Sequence, residues 1–204
     1  CWQAKLAGND AIFDTTYSLA SLLRASMGNP DPYITVSQEL SYIRDYIQIQ
    51  KARFRDKIQA NIAVEPALMP VMIPKLILQP IVENAFIQEG GTAAESFIPA
   101  FIHGLEEKNG NGTIKISGIL NDEEETVLFM IHDNGVGMTR AQIEKALDPP
   151  PGTKGSFGLS SVHKRLQLLY GTDFGLKILS DPGKGTTIII RMPLHVEKAE
   201  KEKQ

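Results

Sequence analysis

Asp133-Asn134-Gly135-Val136-Gly137-Met138 follows the apolar run 127–131, so a buried strand runs directly into a glycine turn. Glycine at 135 and 137 permits positive φ and lets another group approach the backbone where no Cβ stands. Asp133 sets a carboxylate at the strand end, an acceptor for a planar NH2 group. The combination describes a nucleotide pocket, with an acid at one end and bare backbone at the other. The same residues also fit a strand end followed by a solvated Asp-Asn-Gly turn. What flanks them decides between the two.

The chain has 204 residues, 42% of them hydrophobic, enough for one ordinary core with at most a small appendage. A net charge of −3 and a pI near 5.8 argue against nucleic acid and anionic membrane surfaces as partners. The single cysteine, Cys1, excludes a disulfide framework and suits a reducing compartment. No apolar run reaches membrane-span length; Lys75 and prolines interrupt the best stretch, 69–82. Cys1-Trp2-Gln3-Ala4-Lys5 carries neither an initiator Met nor a signal-peptide pattern. It reads as the start of an excised fragment, compatible with a membrane anchor further upstream.

Residues 12–27 have helical spacing, with Leu19, Leu22, Leu23 and Met27 facing a core, and Gly28-Asn29-Pro30-Asp31-Pro32 ends them. Ser37 is the expected N-cap of a second helix, with Gln38 and Glu39 in its first turn and Leu40, Ile43, Ile47 and Phe54 in its stripe. Both stripes mark core packing or dimerisation. Residues 58–64 alternate as a half-buried strand. A helix is expected over 74–88, where Pro80 implies a kink or a late start. Strands follow over 113–120 and 125–132. Thr139 caps a short helix to Leu147, 148–156 is a loop, and a helix over 159–170 closes at Gly171. Strands 174–180 and 186–193 form a hairpin around Asp181-Pro182-Gly183-Lys184-Gly185. The charged tail from His195 is expected to be frayed.

On the 74–88 helix, Ile77, Ile81 and Ala85 form one stripe, flanked by Leu78, Val82 and Phe86. Gln79, Glu83, Asn84 and Gln88 fall on the other side. Asn84 offers a neutral carbonyl oxygen suited to a hard cation such as Mg²⁺, although without other motifs an exposed polar face is the favoured account of the pattern. Gly155-Ser156-Phe157-Gly158-Leu159 precedes a helix, where free N–H groups and the positive dipole end favour phosphate; a plain loop-to-helix junction is the alternative. Lys154 and Lys164 add charge there or are simply solvated. Gly183-Lys184-Gly185-Thr186-Thr187 is no Walker loop, because Gly185 intervenes and a strand rather than a helix follows. None of His103, His132, His163 and His195 stands at metal-ligand spacing, and no Gly-x-Ser-x-Gly elbow is present. His163 is the histidine best placed to touch a ligand.

Four signals therefore stand in one order: Leu78-Gln79-Pro80-Ile81-Val82-Glu83-Asn84-Ala85, the Asp133 to Met138 stretch, Gly158-Leu159-Ser160-Ser161-Val162, and Gly183-Lys184-Gly185-Thr186-Thr187. They resemble the ATP-binding domain of sensor histidine kinases in the GHKL (Bergerat-fold) superfamily. The first matches its N box, the second its G1 box and the third its G2 box. Arg165-Leu166-Gln167-Leu168-Leu169-Tyr170-Gly171, Leu22-Leu23-Arg24 and the stretch Tyr46 to Phe54 narrow the likeness to the LytS/YesM type. It covers nearly the whole chain.

The resemblance implies an α/β (α+β) two-layer sandwich, a mixed, mostly antiparallel sheet with helices on one face, preceded by an α-helical segment. It implies a helical remnant of the dimerisation and phosphoacceptor region over 1–55, the ATP-binding domain over 56–195 and a charged tail over 196–204. ATP would lie between the N-box helix and a lid near 139–156. Asp133 would take the adenine amino group, with Thr186 or Thr187 nearby. Gly135 and Gly137 would admit base and ribose, with Met138 and Leu159 among the contacts. Asn84 would hold Mg²⁺ against the phosphates, Gly155 and Gly158 would cap the phosphate tail, and Glu83 would polarise the attacking group. The γ-phosphoryl would pass to a histidine and then to a response regulator, catalysed by positioning and charge neutralisation. The likeness further implies a homodimer in the full-length protein and a cytoplasmic domain of a bacterial plasma-membrane sensor.

Two departures stand out. No histidine here lies in the family's Pro-His-Phe acceptor context, so the fragment is expected to bind ATP without phosphorylating itself. Gln88 follows Asn84-Ala85-Phe86-Ile87 where the family carries His-Gly, and His103-Gly104 comes later, so 88–102 reads as an insertion. A degenerate GHKL module without kinase activity is the alternative. An ATPase of the chaperone or mismatch-repair kind is disfavoured, since Pro80 stands where those carry an acid.

Overall fold

The computed structural model describes residues 16, 18, 31–54, 57–86, 112–121, 123–150 and 158–194, without side chains at 53 and 54. Strand β1 (Tyr33–Thr35) leads into helix α1 (Val36–Phe54), β2 (Ile58–Val64), a 3-10 turn (Pro66–Leu68), β3 (Met72–Pro74) and α2 (Gln79–Phe86). β4 (Gly112–Asn121), β5 (Thr126–Asp133), α3 (Arg140–Leu147), α4 (Gly158–Tyr170), β6 (Gly175–Asp181) and β7 (Gly185–Pro193) follow.

Five of the strands form one sheet in the order β2-β4-β5-β7-β6. β2 runs parallel to β4, and the other pairs are antiparallel. Period-two alternation sends Ile114 and Ile116, Phe129 and Ile131, Ile178, Ile188 and Ile190 to one face, where all are buried. Lys115, Met130 and Lys177, between them, are exposed. The buried face meets Leu40, Ile43 and Ile47 of α1, Ile81, Val82 and Phe86 of α2, and Leu159, Val162 and Leu166 of α4 in one core. Each such side chain contributes about 1.5–3 kcal/mol on leaving water. Tyr46 of α1 meets Phe86 of α2 edge-on, ring centroids 5.4 Å apart. This is the expected two-layer α/β sandwich with a mostly antiparallel mixed sheet.

Thr35, not the expected Ser37, caps α1: Thr35 Oγ1 accepts the Gln38 N–H at 3.2 Å, and Gln38 Oε1 accepts the Thr35 N–H at 2.9 Å. That is a capping box, with Thr35-x-x-Gln38 spacing visible in the sequence. Pro80 produces the late start rather than a kink, since α2 begins at Gln79. β1 and β3 pair antiparallel as a separate ribbon that no periodicity announced. Of the expected 12–27 helix, Thr16 and Ser18 are helical, and its other residues lie outside those described. So do the 88–102 insertion, His103, Lys154, Gly155, His195 and the tail.

Candidate functional site

Sheet register assembles the site. Ile114 of β4 pairs with Asp133, Asp133 with Thr186 of β7, and Thr186 with Ser180 of β6. All four lie in one row across the strand ends, on the helix-covered face. Asp133 is 8% exposed, and its Oδ1 accepts the Gly135 N–H at 2.9 Å. Burial pushes the Asp133 carboxyl above its ordinary range, against the opposing pull of the Gly135 and Thr186 N–H groups and of His132.

The loop after β5 and the turn between β6 and β7 are locked together by glycines. Gly137 has φ +71°, and a Cβ there would lie 2.0 Å from Asp181 O. Gly185 has φ +86°, and a Cβ there would lie 2.1 Å from Asp133 O. Each loop thus packs its backbone where the other has no side chain. The Gly183 N–H donates to Val136 O at 2.6 Å across the same junction. Asn134 ties the loop to β4, its Oδ1 accepting the Thr113 N–H at 2.8 Å.

Ser180 completes the junction, a role the sequence did not disclose. Its Oγ donates to Gly185 O at 2.8 Å, which commits its one proton. It therefore accepts the Met138 N–H at 2.7 Å and the Thr186 hydroxyl at 3.0 Å. Gly185 is the signal for this arrangement only in hindsight.

Thr186 and Thr187 part company. Strand alternation puts Thr187 on the opposite face, where its Oγ1 lies 2.9 Å from His132 Nδ1. Of the pair, only Thr186 shares the row with Asp133. His163 is likewise occupied elsewhere. Its Nδ1 accepts the Leu176 N–H at 3.0 Å, which leaves the ring proton on Nε2. Burial, then Lys164, holds its pKa below the ordinary value. The residue singled out as best placed for a ligand instead fastens α4 to β6. Lys164, midway along α4, pairs at 2.9 Å with Asp148, the C-cap of α3.

α2 carries Glu83 and Asn84, both half-buried, between the buried Val82 and Phe86. Gly158, the first residue of α4, stands beside it: a Cβ there would lie 3.8 Å from Pro80 Cβ. The N-box and glycine-loop helices are therefore neighbours, as a site shared between them requires. Leu159 is buried in the core beneath that junction. No group of three or more His, Cys, Asp and Glu side chains able to hold a metal occurs among the described residues.

The start of α2 is held by a group that the sequence reading placed only in a first helical turn. Glu39, fully buried on α1, accepts the N–H of Leu76 at 3.1 Å, Leu78 at 3.0 Å and Gln79 at 3.2 Å. Desolvation raises its pKa against these bonds. Leu76 takes φ +60°, uncommon for a branched side chain, to aim its N–H there. Arg165 of α4 donates to Lys75 O at 2.6 Å on the same turn.

The family model for histidine kinase-, DNA gyrase B- and HSP90-like ATPases matches residues 73–196. The chain belongs to this ATPase family. A histidine kinase model matches residues 2–58 in addition. The sensor histidine kinase YesM of Bacillus subtilis is 31% identical over 196 residues, 96% of this chain and 30% of the relative. The sensor histidine kinase BtsS of Escherichia coli is 29% identical over 175 residues, 86% of this chain and 26% of the relative. The chain thus spans under a third of these relatives. Among solved structures, the histidine kinase domain of an Erythrobacter litoralis blue-light activated kinase aligns with a TM-score of 0.50 at 18% identity, over 93% of this chain and 82% of that one. The catalytic domain of the histidine kinase ThkA aligns at 0.51 and 15% identity, over 79% of this chain and 94% of that one. Both share the fold. No described helix is long and apolar enough to cross a membrane.

Proposed function

We propose that this chain is the catalytic, ATP-binding part of a two-component sensor histidine kinase, passing the γ-phosphoryl group to a histidine and onward to a response regulator. The observation that carries the proposal is the polar row at the strand ends. A buried carboxylate, Asp133, stands between side-chain-free backbone at Gly135 and Gly137 and the hydroxyl of Thr186.

In this reading Asp133 accepts the adenine amino group, with Thr186 beside it and Thr187 excluded by its position on the other face. Met138, whose N–H is held by Ser180, borders the base. Asn84 supplies the protein oxygen for Mg²⁺, and its neutral, half-buried amide fits that role. Bound there, the ion neutralises phosphate charge. The N-terminus of α4, opening at Gly158 against Pro80, faces the phosphate tail, with Gly155 three positions earlier in the sequence. The acceptor imidazole nitrogen bonds the γ-phosphorus as the bond to ADP breaks, and Glu83 takes the ring proton. Homodimerisation, a cytoplasmic setting and an upstream membrane anchor complete the proposal.

Phosphotransfer from ATP tests it, with a Pro-His-Phe acceptor segment joined upstream. Label on that histidine, absent when the histidine is replaced, supports the kinase. A protein that binds nucleotide yet labels nothing supports the non-enzymatic alternative.

A further inference from the structure

Gln79 bonds twice, in two directions. Its backbone N–H is the third donor to the buried Glu39 carboxylate of α1, at 3.2 Å. Its side-chain Nε2 donates to Glu83 Oε1 one turn along α2, at 2.8 Å. Among the described residues nothing donates to Glu83 Oε2. One oxygen of that carboxylate is therefore held, and the other takes no hydrogen bond from a described residue.

A glutamate on a helix surface ordinarily samples several rotamers, and fixing it has an entropic cost. Here the i,i+4 amide removes that freedom before any substrate arrives. The amide itself starts from a fixed point, because Glu39 seats the first turn of α2. Glu39 lies on α1, inside the 2–58 stretch that matches the histidine kinase model. The hydrogen-bonded chain thus runs from the upstream helix to the acid beside the metal-binding asparagine.

We propose that Gln79 is a positioning residue: it orients Glu83 for proton transfer and, through Glu39, ties that orientation to α1. This rests on the kinase reading above.

A double-mutant cycle tests it in the acceptor-bearing chain. Gln79→Met keeps the unbranched shape and the backbone bond to Glu39 but loses the amide donor. Its kcat should fall about tenfold while KM for ATP and the melting temperature hold. Gln79→Lys, which restores a donor, should recover most of the rate. In a Glu83→Gln background, Gln79→Met should cost nothing further. An unchanged kcat in Gln79→Met overturns the proposal, as does an equal loss in both backgrounds. A silent Glu83→Gln in an active wild type removes the acid and the relay with it, leaving the kinase reading intact. A wild type without transfer removes that reading itself.

Discussion

Replacing Gly137 by alanine separates the interlock from ordinary turn strain. At φ +71° an L side chain costs about 1–2 kcal/mol. The new Cβ also lands 2.0 Å from Asp181 O and 2.8 Å from Asp181 C. Those are backbone atoms of the β6–β7 turn, so no rotamer change relieves the contact. Overpacking of this kind adds about 1–3 kcal/mol, giving about 2–5 kcal/mol in all. At roughly 2–4 °C per kcal/mol for a chain of this size, the melting temperature should fall by about 4–20 °C. Gly183→Ala is the internal control. Its φ is +79°, yet a Cβ there meets nothing within 4 Å. It should lose only the strain of about 1–2 kcal/mol. Thermal melts followed by far-UV circular dichroism measure both, and a fluorescent ATP analogue reports whether the site opens. Equal melting temperatures for the two variants would refute the interlock.

Three other outcomes follow from the same geometry. Glu39→Ala strands the N–H groups of Leu76, Leu78 and Gln79, so urea unfolding should show a loss of about 2–5 kcal/mol; a loss below about 1 kcal/mol would contradict the role given to Glu39. Thr186→Val should weaken nucleotide binding while Thr187→Val, on the opposite face, leaves it unchanged in titrations; the reverse order would place the pocket on the wrong side of the sheet. Asp133 also sets a pH dependence. Its folded pKa is raised, so the native state holds more protons than the unfolded chain, and stability falls as pH rises from about 3.8 through the folded value. Asp133→Asn lacks this slope, so its melting temperature minus that of wild type should grow between pH 4 and pH 7; a constant difference would count against burial as the cause.

Much of the architecture was legible because local signals agreed with the fold. Alternation marked β2 and an apolar run marked β5, Thr139 stood as the cap of α3, where it forms a capping box with Gln142, and Gly171 ended α4 at φ +98°. The three-residue strands β1 and β3 were too short to show a period. Ser37 and Thr35 are both competent caps in sequence, and only the Gln38 partner at capping-box spacing distinguishes Thr35. Glu39 was unreadable for a different reason: its partners lie 37–40 positions away, and only tertiary packing brings them to it. His163 looked available because the sequence cannot show that Leu176 would donate to it. Alternation separates Thr186 from Thr187, but which of them joins Asp133 needed the register of β7 against β5, which a lone strand does not reveal.

The most direct test of the nucleotide site is titration of the chain with a fluorescent ATP analogue, with and without Mg²⁺. The polar row predicts saturable binding that Mg²⁺ strengthens. Asp133→Asn should abolish or sharply weaken it, because the amide must turn its oxygen to the Gly135 N–H and leaves a donor where adenine also offers one. Absence of binding at about 1 mM nucleotide, the upper end of ordinary enzyme–substrate affinities, would contradict the account. So would an Asp133→Asn protein that binds as tightly as wild type.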